Sequence, residues 1–163
     1  KYIKHEYSKY TILETSDFAI DYLKESYDNI DIIKYDGLNL PFEDNSFDRI
    51  ILSHCLEHIE NYEQFIDKLM KILKSGGVLS LSQPTDPGIL WRVARYVRQV
   101  LTLSNSSLII ENNYIMAKEH INSIFNIVSV LRYKYPNKIT ESYVPFKIRT
   151  LDFNLFYNVH IRK

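Results

Sequence analysis

A mostly parallel α/β sheet with helices on both faces is the fold class that the sequence predicts. Short apolar runs alternate with longer runs at helical spacing, and the connections between them are short. The run Phe47–Ser53 is almost uninterruptedly apolar, which is typical of a strand covered on both faces in a parallel sheet. Residues 139–146 and 151–161 read as two closing strands. We expect this last pair to be antiparallel neighbours at one edge.

Strand and helix alternate through the first half of the chain. The predicted strands are residues 10–14, 30–35, 47–53 and 78–82. Ser16 offers an N-cap oxygen to the first predicted helix. The second predicted helix, residues 60–74, is expected to stop at Gly76-Gly77 in the manner of a glycine C-cap.

The pattern is looser in the second half. Residues 89–103 predict an amphipathic helix that carries arginines at 92, 95 and 98 on one broad face. Residues 104–113 are expected to form an irregular loop, and residues 119–133 again have helical spacing. We predict a single domain over residues 1–163, in which residues 84–118 form a helix-and-loop insertion.

Composition and charge limit the function classes. The chain has 163 residues with 20 basic and 20 acidic side chains, so it lacks the positive charge that draws a protein to nucleic acid. Cys55 is the only cysteine, which excludes an internal disulfide and fits a reducing compartment, so the cytoplasm is the expected location. No stretch approaches the ~20 apolar residues of a membrane span. We expect neither a nucleic-acid partner nor a transmembrane segment.

Ligands of open α/β sheets lie beyond the carboxyl ends of the strands, which singles out polar residues just after predicted strands. Glu14 is placed to accept hydrogen bonds from a ribose, although an exposed loop acid is an equally good interpretation. Asp36 could accept from an exocyclic amine while Gly37 lets a flat ring approach. An ordinary Asp-Gly turn is the alternative there.

A third polar cluster is Ser53-His54-Cys55-Leu56-Glu57-His58, at the end of a predicted strand. It looks like a metal or nucleophile cluster. A cysteine and two histidines this close in sequence do not converge on one ion without a fourth ligand, and no standard zinc spacing is present. We therefore expect no metal here.

Two segments carry a family resemblance. Residues 36–59, DGLNLPFEDNSFDRIILSHCLEHI, and residues 73–79, LKSGGVL, resemble the middle of small-molecule class I S-adenosylmethionine-dependent methyltransferases of the type 11-like group, with Ser75 where that family usually has proline. The resemblance implies a Rossmann-like fold and S-adenosylmethionine as cofactor. It implies that Glu14 binds the ribose, that Asp36 and Gly37 hold the adenine, and that Ser53 and His54 line the pocket near the methyl group.

One departure from the family concerns the glycine-rich cofactor loop that follows its first strand. The four glycines stand at 37, 76, 77 and 88, so no such loop can be placed before Glu14. Residues 1–7 read like the end of a helix that this loop should open. We expect the missing first strand and loop to lie upstream of Lys1.

In the later part, residues 84–88, PTDPG, lead into the arginine-bearing helix and residues 119–122, EHIN, follow. With residues 145–148, PFKI, and 154–156, NLF, this part resembles a narrower set of these enzymes, loosely associated with bacterial surface-saccharide pathways. Within it, residues 84–118 would lie on the acceptor side. Glu119 and His120 could form part of the acceptor site, with His120 as proton acceptor for a hydroxyl and Asn122 orienting it; a helix-opening acid and a surface histidine are the alternative. The arginines would be a solvated helix face or a phosphate-binding surface.

Two functions remain open on sequence grounds. The first is transfer of a methyl group from S-adenosylmethionine to an oxygen or nitrogen of a small molecule, with a sugar or sugar-phosphate intermediate as candidate acceptor. His120, His54 and Glu119 are then the candidate catalytic residues. The second is a non-catalytic methyltransferase-like module that serves as a binding or regulatory subunit.

Overall fold

The computed structural model describes residues 9–37, 39–102 and 106–163. The chain divides into two compact units, the first ending at Phe42 and the second running from Glu43 to Lys163, and each is described by itself. The expected end of a helix within residues 1–7, residue 103 of the predicted helix and residues 104–105 of the predicted loop lie outside the described residues. The single domain over residues 1–163 stays a prediction.

The first unit is a parallel βαβ unit. Strand β1, Thr11–Glu14, pairs in parallel with β2, Asp31–Lys34. Helix α1, Asp17–Ser26, connects them, and Ser16 caps it by accepting a hydrogen bond from the backbone N–H of Ala19 at 3.4 Å. Both strands and the Ser16 cap were predicted from the sequence, and the structure confirms them.

A four-stranded mixed sheet organises the second unit. Strands β3, Phe47–Ser53, and β4, Leu73–Pro84, are parallel, and β6, Phe156–Arg162, is antiparallel to β4. Strand β5, Ile139–Val144, pairs antiparallel with β6 at the edge, which gives the order β3-β4-β6-β5. The predicted antiparallel closing pair is confirmed, although residues 151–155 lie before its second strand rather than within it.

The glycine pair was misread as a helix C-cap. Helix α2, Tyr62–Ile72, ends before Leu73, and β4 already begins there and runs through both glycines. Phe47 pairs with Leu73 and Arg49 with Val78, so residues 74–77 bulge out of the ladder. Gly76 adopts a φ of 78° in this bulge. Since a left-handed glycine serves in helix caps and strand bulges alike, the local signal does not separate the two.

The helices after β4 differ from the expectation in two places. Helix α3, Ile89–Thr102, is confirmed, but the predicted loop at residues 104–113 lies largely within a helix, α4, Ser106–Glu119. Residues 119–133 are not one helix, because α4 ends at Glu119 and α5, Ile124–Lys134, begins after the Ser123 cap. The Gln99 amide of α3 donates to Asn113 of α4 at 2.7 Å. This is a contact between helices, which sequence periodicity does not report.

The core of the second unit lies around β4 and β6 and is closed by α2 and α5. Its fully buried side chains include Ile66, Leu79, Leu131, Tyr157 and Ile161. Strand β3 is less covered than predicted, since none of its side chains is buried and Ile51 is 45% exposed. Among the described residues β3 is an edge strand of its sheet. No helix within the described ranges is long and apolar enough to cross a membrane.

Candidate functional site

Glu14 closes β1 in the first unit. Its Oε1 accepts hydrogen bonds from the backbone N–H groups of Thr15 at 2.7 Å and Ser16 at 3.0 Å. The carboxylate is therefore held against the turn that leads into α1, and the residue is half-buried. With Oε1 engaged in this way, Oε2 is oriented and can accept further hydrogen bonds.

Asp36 and Gly37 follow β2. The Asp36 Oδ1 accepts from the backbone N–H of Asn39 at 3.0 Å, and Gly37 has a φ of 80°. Asp36 thus accepts a local backbone hydrogen bond, which agrees with the Asp-Gly turn left open as an alternative. A Cβ built on Gly37 meets no atom within 4 Å, so the glycine is required by its backbone conformation and the space beside it is open. A turn of this kind and a ring-contact surface are compatible.

Ser53 and His54 stand at the carboxyl end of β3, in the second unit. His54 has a φ of 52°, which is unusual for a residue with a side chain. Its backbone N–H donates to Ser82 at 2.9 Å, which ties this turn to β4. The exposed imidazole packs edge-on against Phe156, with ring centroids 5.4 Å apart. Backbone strain of this kind occurs often at ligand-binding turns.

Unpaired polar groups lie near this end of the sheet. Phe156 also packs edge-on against Trp91, whose indole Nε1 is buried without a hydrogen-bond partner among the described residues. Within those residues, both amide atoms of Gln83, at the end of β4, are likewise buried and unpaired. Buried donors without partners are rare and mark positions where a ligand or water completes the bonding. The sequence analysis did not identify Gln83.

The His120–Asp86 pair is the most specific arrangement of the second unit. The His120 Nδ1 lies 2.8 Å from Asp86 Oδ2, and both side chains are largely buried. A carboxylate can only accept, so Nδ1 carries the proton and Nε2 keeps a lone pair. The guanidinium of Arg95 lies 4.0 Å from the same Asp86 oxygen. Asp86 lies in the turn cluster after β4, and its role was not predicted.

A cavity of about 410 Å³ lies between α3 and α4 next to this pair. Its lining residues are Asp86, Arg92, Arg95, Tyr96, Gln99, Asn113, Met116, Ala117 and His120. Arg92 and Arg95 therefore face a cavity, whereas Arg98 is not among the lining residues. Arg92 is exposed and Arg95 is half-buried, so a solvated helix face and an anion-binding surface both remain open for this pair.

Glu119 and Asn122 make contacts other than those expected for an acceptor site. The backbone carbonyl of Glu119 accepts from His58 Nδ1 at 3.0 Å, while its carboxylate is exposed. The Asn122 amide donates to the carbonyls of Leu56 and Ile59 at 2.8 and 2.7 Å. Asn122 thus fixes the 3₁₀ helix Leu56–His58 through its side-chain amide.

The first part of the chain is similar to a known protein family. The model of a family described as "Methyltransferase domain" matches residues 1–81. A demethylmenaquinone methyltransferase of Staphylococcus epidermidis is 38% identical over 65 residues, which are 38% of this chain and 27% of that protein. The chain thus matches about a quarter of this relative's length.

Solved structures extend the likeness to most of the chain. An S-adenosylmethionine dependent methyltransferase from Mesorhizobium loti aligns with a TM-score of 0.60 at 14% identity, covering 96% of this chain and 81% of that one. The plantazolicin methyltransferase BpumL, solved with a desmethylPZN analog and SAH, aligns with a TM-score of 0.67 at 15% identity over 95% of this chain and 66% of that one. These likenesses establish the fold.

Proposed function

We propose that this chain is part of a class I S-adenosylmethionine-dependent methyltransferase, and that the complete protein transfers a methyl group from S-adenosylmethionine to an oxygen or nitrogen of a small molecule. The family match over residues 1–81 supports the reaction class. The relative crystallised with SAH supports the cofactor. A non-catalytic module of the same fold is the alternative that the experiments below exclude or establish.

Cofactor binding is assigned to residues after β1, β2 and β3. Glu14 accepts from the ribose hydroxyls through the oxygen that the turn leaves available, Asp36 accepts from the adenine amine, and Gly37 leaves room for the ring. Ser53 and His54 line the pocket near the methionine and methyl group. The oriented Glu14 carboxylate and the open space beside Gly37 support this fit.

The acceptor side is assigned to the cavity next to His120. Methyl transfer is an in-line displacement at a sulfonium carbon, so the protein chiefly aligns the reactants and excludes water. An acceptor hydroxyl must also lose its proton, and His120 accepts it at Nε2 while Asp86 holds the opposite nitrogen. The 2.8 Å contact between His120 and Asp86 is the observation that carries this proposal. Glu119 remains a secondary candidate on the same side.

Arginines at the cavity indicate an anionic acceptor. Arg92 and Arg95 line it together with the polar Gln99 and Asn113, and guanidinium groups bind phosphate and carboxylate with bidentate geometry. A sugar phosphate fits this chemistry and a cavity of about 410 Å³. The similarity to a demethylmenaquinone methyltransferase makes demethylmenaquinone the second acceptor to be tested.

Substitution of His120 tests the proton-acceptor role. We expect His120→Ala to lower turnover by about a hundredfold or more while S-adenosylmethionine affinity stays nearly unchanged, because general-base catalysis contributes that much. The same assay on His54→Ala separates the two histidines. Wild-type turnover in His120→Ala would remove His120 from the mechanism.

Substitution of Arg95 tests the acceptor class. Arg95→Met should raise the KM for phosphorylated acceptors and leave that for neutral ones unchanged, and Arg98→Met, outside the cavity, is the matched control. Equal effects on both acceptor types would rule out anion recognition by Arg95. Absence of methyl transfer to any acceptor, with S-adenosylmethionine still bound, would support the non-catalytic module.

A further inference from the structure

Glu57, His58 and His120 form a cluster in the second unit, and the proposed methyl transfer uses only His120 of these three residues. One ligand atom from each of these three residues lies within 4.8 Å of the others. The rings of His58 and His120 pack edge-on with centroids 4.9 Å apart. The residues come from the turn after β3 and the segment after α4, so the sequence spacing of 57, 58 and 120 gives no metal signature.

Both imidazoles are oriented by hydrogen bonds at Nδ1. The Nδ1 of His58 lies 3.0 Å from the Glu119 carbonyl, and that of His120 lies 2.8 Å from the Asp86 carboxylate. Both partners can only accept, so each Nδ1 is the donor and each Nε2 has its lone pair available. Metal-binding histidines are oriented in this way, with the second ring nitrogen donating to a carbonyl or carboxylate.

The carboxylate of Glu57 is an independent indication. Glu57 is 4% exposed, and among the described residues its Oε2 has no hydrogen-bond partner. Its Oε1 lies 3.9 Å from His58 Nε2 and from His54 Nδ1, too far for a hydrogen bond. Burying a carboxylate without bonding partners is costly, and a cation between carboxylate and imidazoles removes that cost.

We propose that Glu57, His58 and His120 bind a divalent transition-metal cation of the Zn²⁺ class. Two imidazole nitrogens and one carboxylate oxygen suit Zn²⁺ or Co²⁺ better than Mg²⁺ or Ca²⁺, which prefer oxygen ligands. Ligand atoms in a tetrahedral zinc site stand about 3.4 Å apart, because the bonds are about 2.1 Å long. Binding therefore draws the cluster together and leaves a fourth position for water or a substrate.

Cysteine is not a ligand of this site. The Cys55 Sγ donates to the Ser53 carbonyl at 3.1 Å, and Cys55 is not in the cluster. Cation binding and proton acceptance both use Nε2 of His120, so His120 acts as proton acceptor in the cation-free protein only. Metal binding is otherwise independent of the proposed methyl transfer, because it needs neither cofactor nor acceptor.

Calorimetric titration of the chelator-treated complete protein with Zn²⁺ alone, without S-adenosylmethionine, tests the site. We expect one equivalent to bind, with no comparable binding of Mg²⁺. His58→Ala and the isosteric Glu57→Gln should each weaken Zn²⁺ binding by about a hundredfold or more. Asp86→Asn, which changes the group that orients His120 and that also lies beside Arg95, should weaken it by about tenfold to a hundredfold.

Cys55→Ser and His160→Ala are the matched controls and should bind Zn²⁺ as the wild type does, since neither residue belongs to the cluster. Visible absorption of the Co²⁺-loaded protein should change in Glu57→Gln and stay the same in the controls. Circular dichroism verifies folding, and His58→Gln replaces His58→Ala if the latter unfolds. Absence of Zn²⁺ binding, or binding that survives both Glu57→Gln and the His58 substitution, would overturn the proposal whether or not the protein transfers methyl groups.

Discussion

Glu14 and Asp36 are the residues on which cofactor affinity is expected to depend. We predict that Glu14→Ala lowers the affinity of the complete protein for S-adenosylmethionine by about tenfold to a hundredfold, since charge-assisted hydrogen bonds contribute about 1.5–3 kcal/mol. Asp36→Ala should also weaken binding. Calorimetry measures both affinities.

Asp21→Ala is the control for this pair, because Asp21 is an exposed acid on α1, in the same unit. The affinity of Asp21→Ala for S-adenosylmethionine should match that of the wild type. Unchanged binding in both Glu14→Ala and Asp36→Ala would contradict the cofactor assignment and favour the interpretation of Glu14 as an ordinary loop acid.

Among the polar residues of the second unit, the sequence indicated some of the functional candidates and missed others. His54 and His120 were singled out because of the family resemblance. Asp86, Glu57 and Gln83 were not recognised as partners or buried groups, because burial and partners depend on segments far away in sequence. The 2.8 Å contact between His120 and Asp86 spans 34 positions.

At Gly77 the backbone of β4 packs closely against two carbonyl oxygens, which leaves no room for a side chain. A Cβ there would stand 2.9 Å from the Lys74 carbonyl oxygen and 3.0 Å from that of Asp48. Gly77→Ala should therefore lower the free energy of unfolding by about 1–3 kcal/mol, as overpacking does. Urea denaturation measures this. Ser75→Ala, at an exposed position of the same strand, should change stability little, and equal stability of both variants would refute the close-approach argument.

Helix α5 is joined to β5 and β6 by an ion pair and a hydrogen bond at Glu141, from which we predict that the stability of the protein depends on pH. Arg132 donates to both oxygens of Glu141 at 2.8 and 3.1 Å, and Tyr157 donates to the same carboxylate at 2.6 Å. Burial alone raises the pKa of Glu141, but the hydrogen bonds from Arg132 and Tyr157 and the nearby positive charge outweigh it and hold that pKa below its ordinary value of 4.5.

Stability from this carboxylate is therefore present above pH 4.5 and is lost as the pH falls through the lowered folded-state pKa. Glu141→Gln should lower the free energy of unfolding at neutral pH by about 1–3 kcal/mol, and the difference from wild type should shrink in acid. Urea denaturation across pH measures it, with exposed Glu60→Gln as control. A difference independent of pH would contradict the ion-pair explanation.

The whole molecule should be stabilised by the product of its cofactor. S-adenosylhomocysteine at about a hundred times its Kd should raise the free energy of unfolding of the complete protein by about 2.7 kcal/mol, because a ligand that binds only the folded state shifts the equilibrium by mass action. Thermal and urea unfolding measure the shift. Homocysteine alone is the control, and equal stability with and without S-adenosylhomocysteine would speak against cofactor binding.

Local sequence determined most of the elements of this protein. Apolar runs and cap residues predicted β1 to β4, α1 and α3, because strand and helix periodicity are properties of neighbouring residues. These sequence patterns failed at Gly76, because a left-handed glycine occurs in both helix caps and strand bulges. They also failed for α4, because this helix lacks a continuous apolar stripe. The family motifs in residues 36–59 supplied the reaction class, which periodicity cannot give.

Tertiary structure alone decided which side chains meet. The closing of α4 against α3 places Arg92 and Arg95 at a cavity, and the segment after α4 brings His120 to Asp86 and to His58. These contacts join residues 34 to 62 positions apart, and they depend on how helices pack and where chain segments turn. Sequence patterns report the local backbone, whereas the partners of a buried polar group are fixed by packing, so the acceptor side and the cation site could be recognised only in the folded chain.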